Sequence, residues 1–156
     1  MNEETIFSPC QKYRYTLWRR WAPGPVVQFV GLNPSTADET NNDPTVRRCI
    51  DFAKRWNAGA LCMTNIFAWR DTDPEKMKRA VDPVGPDNDR WLLAVAEVAA
   101  ERVAAWGNHG KHLDRSVHVK WLFAGANRPL HCLRLTGTGQ PCHPLYLPAT
   151  CTLIPL

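Results

Sequence analysis

Short apolar runs typical of buried strands alternate along this chain with segments whose apolar residues recur at helical spacing. The runs are residues 26–30, 60–65, 103–106 and 132–135, and the helical segments are residues 44–57, 74–80, 88–101 and 113–124. A stretch at 13–18 alternates apolar and polar side chains and predicts an amphipathic strand. Alternation of strands with helices favours right-handed crossovers and a mostly parallel sheet covered on both faces.

The pattern therefore predicts an α/β fold, a three-layer sandwich with a central four-stranded, mostly parallel sheet and an N-terminal edge strand. The 156 residues are enough for one hydrophobic core and too few for two, so residues 1–156 are expected to form a single domain. The proline-rich tail after Gly139 is expected to be irregular.

Two aspartates stand directly before predicted helices, where a side-chain oxygen can accept from a free backbone N–H. Asp43 is followed by Pro44, a residue favoured at the first helical position, and Asp87 precedes the helix predicted at 88–101. Both are predicted to be N-caps. A role as an acid in a site stays open for Asp43 and for Asp38.

Polar groups follow every strand of the predicted parallel sheet, at the point where the strand ends. Asn33 follows the first strand and Asn65 the second; Trp106-Gly107-Asn108 follows the third and residues 136–143 follow the fourth. In such sheets ligands bind beyond the carboxyl ends of the strands. The sequence therefore predicts one polar pocket at one edge of the sheet.

Prolines hold two of these polar residues in place. Pro34 disfavours helix at Asn33 and so presents its side chain, and Pro144 follows His143 in the tail. Structural alternatives stay open for each residue taken alone. Asn33 and Ser35 can cap turns, Asn65 can close a loop, and His143 can be a packing or surface residue.

Composition sets the class of protein without naming a partner. The formal charge of +4 permits contact with a polyanion but does not require it. The chain has no apolar run long enough for a membrane span and no secretory leader at Met1, so a cytoplasmic protein without a membrane partner is expected. The six cysteines are then expected to be free thiols.

No cofactor or metal is expected. The chain lacks a Cys-x-x-Cys pair, a phosphate-binding loop, a dinucleotide fingerprint and a Gly-x-Ser-x-Gly elbow. Aromatic side chains near the predicted pocket can stack on a base, although most of the seven tryptophans must belong to the core. These aromatics are Phe67, Trp69, Trp106 and Tyr146.

The chain resembles a family of small bacterial and phage proteins recorded as a domain of unknown function. The stretches that carry the resemblance are 32–38, 43–45, 64–68, 72–74, 106–107 and 139–147.

More distantly, it resembles the uracil-DNA glycosylase superfamily. Gly31-Leu32-Asn33-Pro34-Ser35 is similar to the motif after the first strand in the mismatch-specific branch, and His143-Pro144-Leu145 is similar to the terminal His-Pro-Ser loop. Asn65 and Trp106-Gly107 come in matching order. Two positions depart from the pattern, since Ser35 replaces a glycine and Leu145 replaces a serine.

The second resemblance implies a uracil-DNA glycosylase-like fold and a catalytic pair, Asn33 and His143. Asn33 would orient a water and His143 would donate to the base carbonyl, while Asn65 would read the base edge. Leu145 and Tyr146 would fill the gap left by a flipped base. The implied substrate-binding residues are Gly31, Leu32, Pro34, Ser35, Asn65, Phe67, Trp106 and Gly107.

The leading hypothesis is a DNA glycosylase-like enzyme that binds, and by N-glycosidic hydrolysis excises, a modified or mismatched base. One alternative is a non-catalytic nucleic-acid or nucleotide binder with the same pocket. Another is an enzyme acting on free nucleosides or nucleotides. The sequence predicts neither the substrate base nor the oligomeric state.

Overall fold

The computed structural model describes residues 1–156 as a mixed seven-stranded sheet with helices on both faces. The helices are α1 (Pro44–Arg55), α2 (Pro74–Lys78), α3 (Asn88–Val98) and α4 (Arg115–Gly125), and a 3₁₀ segment at Asn108–Asp114 precedes α4. The strands are β1 (Ile6–Phe7), β2 (Arg14–Arg20), β3 (Val26–Gly31), β4 (Ala60–Asn65), β5 (Glu101–Ala104), β6 (His131–Cys132) and β7 (Ile154–Pro155).

The sheet order is β1-β2-β4-β3-β5-β6-β7. Strands β4, β3, β5 and β6 run parallel to one another, whereas β2 runs antiparallel to β4 and β7 antiparallel to β6. The α/β class expected from the sequence is confirmed. The sheet is larger than expected, because β1 and β7 are two-residue strands too short to leave a hydrophobic period.

Strand β3 shows how the sheet separates two apolar layers. Val27 and Phe29 face α1 and belong to a core cluster with its apolar stripe. Gln28 and Val30 face the other side, where Gln28 Nε2 donates to the carbonyl of Leu92 in α3 at 3.1 Å. Both faces of β3 are therefore covered, as the continuous apolar run predicts.

Two strands differ from their predicted bounds because register, not hydrophobicity, sets where pairing stops. The third strand was predicted at 103–106 and lies at Glu101–Ala104, since Val27 of β3 pairs with Glu101. The fourth was predicted at 132–135, but only His131–Cys132 pairs with β5. The helix predicted to reach 101 accordingly ends at Val98.

The tail after Gly139 is not wholly irregular. Residues 154–155 form β7, which pairs with β6, and Leu147, Cys142 and Leu153 pack on the same core cluster as α1. The prediction of an irregular tail is wrong for residues 154–155, because prolines hide strand pairing from a composition-based argument. The tail is thereby held against the sheet near α1.

The two predicted N-caps behave differently. Asp43 Oδ1 accepts from the backbone N–H of Val46 at 2.8 Å, so this cap is confirmed. Asp87 occupies the N-cap position of α3 but its side chain makes no capping hydrogen bond. That prediction is wrong in its chemistry, since Oδ2 of Asp87 faces Arg90 at 3.9 Å instead. None of the four helices combines the length and hydropathy needed to cross a bilayer.

Candidate functional site

A cavity of about 520 Å³ opens at the carboxyl edge of the parallel strands. Nine residues predicted for the site line it: Gly31, Leu32, Asn33, Ser35, Asn65, Trp106, Gly107, His143 and Leu145. The loops after β3, β4 and β5 and the C-terminal tail all contribute to its wall. The cavity thus includes Asn33, Asn65, Trp106 and His143, the residues selected because each follows a predicted strand, and further residues that the glycosylase resemblance implied.

Asn33 is tied down by its amide nitrogen. Nδ2 donates to the carbonyl of Asp71 at 2.8 Å, and weaker contacts reach the carbonyls of Pro34 at 3.3 Å and Trp69 at 3.4 Å. All three partners accept, so the amide orientation is determined and Oδ1 is left as the free acceptor. Asn33 therefore anchors its own loop and offers the cavity a single oxygen.

Asn65 ends β4 and is 4% exposed. No hydrogen bond within the chain fixes its side-chain amide, and Nδ2 is a buried donor without a partner. A buried unpaired amide costs free energy unless a ligand or water satisfies it. Its register partner on β3 is Gly31, where an added Cβ would lie 2.9 Å from Asn65 Oδ1. Gly31 is thus the residue that leaves room for the Asn65 amide.

The backbone around Asn65 is held from behind. Asn88 Nδ2, fully buried in α3, donates to the carbonyls of Asn65 at 2.8 Å and Ile66 at 3.1 Å. Arg115 Nε donates to the Ile66 carbonyl at 2.7 Å. These bonds satisfy the carbonyl groups where the strand ends, so the turn presents the Asn65 side chain on a rigid frame.

His143 lies at the mouth of the cavity. Its Nδ1 accepts from the backbone N–H of Leu145 at 3.2 Å, which places the proton of the neutral ring on Nε2. Desolvation lowers the pKa of His143, and the charge of Asp43 opposes that shift. At neutral pH the ring is therefore an uncharged donor. Arg48 of α1 donates to the carbonyl of Leu147 and holds this segment of the tail.

Trp106 is part of the core more than of the cavity. The side chain is 1% exposed, packs against Gly110, and donates from Nε1 to Gln140 Oε1 at 2.9 Å. Gly107, with φ of +69°, donates from its backbone to the Pro141 carbonyl at 2.7 Å. This pair fastens the end of β5 to the tail that carries His143.

Three of the site residues implied by the resemblance lie outside the cavity, as does Trp69, one of the four aromatics expected near it. Pro34 is buried in the loop, and Phe67 is fully buried with its ring centroid 5.6 Å from that of His112, where no base can stack on it. Tyr146 is 99% exposed in a left-handed conformation next to the mouth. Of the two expected wedge residues, Leu145 lines the cavity and Tyr146 projects from the surface.

The structure adds charged residues that the sequence argument did not select. Arg14, Asp71 and His109 line the cavity, with Thr45 and Thr72 beside them. Asp43, predicted as a cap with an acid role in a site left open, serves as the cap and also lines the cavity. The sequence alone does not place Arg14 at the cavity. Its position follows from the antiparallel pairing of β2 with β4, which brings Arg14, the first residue of β2, to the carboxyl end of β4.

Arg14 is 3% exposed and lacks a salt-bridge partner. Nη1 donates to the carbonyl of Ala37 at 2.8 Å, while Nε has no partner. Burial lowers the pKa of Arg14 to about 10, so the guanidinium remains charged at neutral pH. Cys49, also on the wall, has a thiol pKa raised by burial and is a neutral packing group.

No cluster of three or more histidine, cysteine or acidic side chains is arranged to hold a metal ion. The polar side-chain groups that line the cavity are amides, hydroxyls, one guanidinium, two carboxylates and two imidazoles. Such a set can bind an organic ligand by hydrogen bonds.

Comparison with known proteins places the chain in a family. A family model described as "Protein of unknown function (DUF1643)" matches residues 14–145. The chain belongs to this family. The match to the family model begins at Arg14 and ends at Leu145, so it covers every residue that lines the cavity. No curated protein and no solved structure matches the chain.

Proposed function

We propose that this DUF1643 protein binds a nucleobase in the cavity and hydrolyses its N-glycosidic bond, as a DNA glycosylase-like enzyme acting on a modified or mismatched base. The proposal rests on three side chains of the cavity wall that each keep a hydrogen-bonding atom without a partner in the chain. Asn33 offers an acceptor, His143 a neutral donor and Asn65 an unpaired amide. The likeness of the fold to uracil-DNA glycosylases is part of this proposal.

His143 acts on the leaving base. As the bond between the sugar C1′ and the base nitrogen breaks, its electron pair moves onto the base and negative charge builds on a carbonyl oxygen. Nε2–H donates to that oxygen, and a pre-positioned donor stabilises developing charge more than it stabilises the neutral ground state. The Leu145 N–H keeps the ring in the required tautomer.

Asn33 acts on the water. Oδ1 accepts a hydrogen bond from a water and directs it to C1′, where the sugar develops positive charge. An amide does not take a proton near neutral pH, so Asn33 positions the nucleophile without acting as a general base, and the proton that the water loses on attack passes to the departing base anion. The nearby Asp43 carboxylate stabilises the cationic sugar through space.

Asn65 supplies base recognition. A side-chain amide pairs with adjacent donor and acceptor atoms on a base edge, and the amide of Asn65 has no competing partner in the chain. For a duplex substrate the base must leave the stack, and Leu145 with the exposed Tyr146 forms the apolar rim that can occupy the gap.

The test is single-turnover base release from duplexes that contain uracil, mismatched thymine or hypermodified pyrimidines. We expect release of at least one base, and a loss of about 100-fold or more in His143→Ala and Asn33→Ala. His118→Ala is the matched control, because that exposed histidine lies on α4 near Asp89, away from the cavity.

Other outcomes assign the cavity differently. Failure to release any base across the panel, or release that is unchanged in both variants, contradicts the catalytic proposal. Salt-dependent DNA binding without release would indicate a non-catalytic binder. Turnover of free nucleosides or nucleotides with weak duplex affinity would indicate an enzyme acting on monomers.

A further inference from the structure

The cavity contains a buried cation whose hydrogen-bonding capacity is mostly unused. Arg14 has five N–H donors, and within the chain only Nη1 donates, to the Ala37 carbonyl. Through that bond Arg14 holds the loop after β3, but its Nε remains buried without a hydrogen-bond partner. An unpaired charged donor at 3% exposure is costly unless a ligand or water satisfies it.

The acidic residues of the same wall do not complete it. Asp43 forms no salt bridge with Arg14, and its Oδ1 accepts from the Val46 N–H at the start of α1. Asp71 Oδ1 accepts from the Asp73 N–H at 3.0 Å. Each carboxylate thus has a backbone donor, whereas no carboxylate lies within salt-bridge distance of the guanidinium, on which the charge of Asp43 acts only through space.

The surroundings of Arg14 contain further donors. Asn65 Nδ2 is buried and unpaired, and Thr45 in the first turn of α1 lies on the wall with Ser35. The amino end of a twelve-residue helix adds a partial positive charge beside Thr45. The cavity therefore holds two buried donors without a partner, Arg14 Nε and Asn65 Nδ2.

We infer that the cavity takes a ligand bearing an anionic oxygen group, a phosphate or a carboxylate, and that Arg14 binds this group. The inference deepens the proposed function and rests on it: the base or nucleotide recognised there is acidic. A planar guanidinium suits both groups, because its parallel N–H bonds match two oxygens. The group has two possible sources, the phosphate of a free nucleotide or an acidic substituent on the base.

Calorimetric titration with paired probes separates the two sources. The pairs are uracil with orotate, which adds a ring carboxylate, and uridine with uridine 5′-monophosphate, which adds a phosphate. We expect the acidic member of at least one pair to bind about 10- to 100-fold more tightly, the range for a hydrogen bond to a charged group. A preference for orotate indicates an acidic base, and one for the monophosphate indicates a nucleotide.

In Arg14→Met we expect the acidic and the neutral member of each pair to bind with about equal affinity, because the neutral probes do not need the guanidinium. Arg102→Met is the matched control, since it removes the same charge from a part-buried arginine that bonds the carbonyls of Ala96 and Ala99 outside the cavity. Arg14→Lys tests geometry, and we expect it to keep part of the preference.

Equal affinity for both members of each pair in the wild-type protein overturns the inference, and this arm does not depend on a variant that folds. A preference that survives in Arg14→Met overturns it as well. If neutral bases bind and the acidic probes bind no more tightly, the proposed function stands and only the inference about Arg14 fails. If the preference depends on Arg14 but no base is released, only the proposed chemistry is contradicted. Absence of binding by every probe overturns both.

Discussion

At the scale of single residues, the proposed site depends on side chains whose other bonds are already made. Asn33 has its amide nitrogen engaged with the Asp71 carbonyl, and His143 has Nδ1 engaged with the Leu145 N–H. Each residue is therefore left with one free atom of known polarity. Asn65 differs, because no internal bond orients its amide, which a ligand or water is left to satisfy.

Gly31 tests the position of the Asn65 amide. We expect Gly31→Ala to lower base release by about 10- to 100-fold, because the new Cβ would lie 2.9 Å from Asn65 Oδ1 and displace it. Gly137→Ala is the control, since nothing lies within 4 Å of a Cβ there. Equal rates in the two variants would refute this role for Gly31.

His143 makes the pH dependence predictable. Its pKa is lowered by desolvation, so the folded protein binds fewer protons at this site than the unfolded chain. The associated stability is present above the ordinary pKa of 6.5 and is lost as the pH falls through the lowered value. We expect an NMR titration of His143 to give a pKa below 6.5 and an Nε2–H tautomer at neutral pH; a pKa above 6.5 would contradict the neutral-donor role.

At the scale of elements, α1 begins at the cavity and its cap is part of the wall. Asp43→Ala removes the acceptor for the Val46 N–H and is expected to lower the free energy of unfolding by about 0.5–2 kcal/mol. Asp87→Ala at the start of α3 should change it by less than about 0.5 kcal/mol, because no capping bond exists there. Urea unfolding of both variants measures the difference, and an equal loss would show that the capping bond contributes nothing.

Asn88 links α3 to the end of β4. We expect Asn88→Asp to destabilise the fold by about 1–3 kcal/mol, because it replaces the two amide N–H donors with a carboxylate facing the carbonyls of Asn65 and Ile66. Asn127→Asp, on an exposed turn after α4, should be close to neutral. Thermal unfolding distinguishes the two, and similar midpoints would argue against a supporting role for Asn88.

At the scale of the whole molecule, the tail and α1 form one face of the fold, and this packing brings His143 to the strands. Leu147 is 8% exposed in the α1 core cluster, and its carbonyl accepts from Arg48. We expect Leu147→Ala to cost about 2–5 kcal/mol and to lower base release, since the segment from His143 to Leu147 loses its anchor.

Leu135→Ala is the control for that substitution, because Leu135 lies in the same C-terminal part of the chain and is 45% exposed. It should leave both stability and activity nearly unchanged. Comparable losses in the two variants would show that burial of Leu147 does not hold the tail in place.

The sequence by itself determined the α/β class, the bounds of β3, β4 and α1 to within about two residues, and the meeting of Asn33, Asn65 and His143 at one edge. The bounds follow from hydrophobic period, which is a local property, and the shared edge follows from the parallel order that alternating strands and helices favour. Tertiary structure alone decided the rest, because strand register and the antiparallel course of β2 depend on partners distant in the chain. Register ended β6 after two residues, and the direction of β2 brought Arg14 into the cavity.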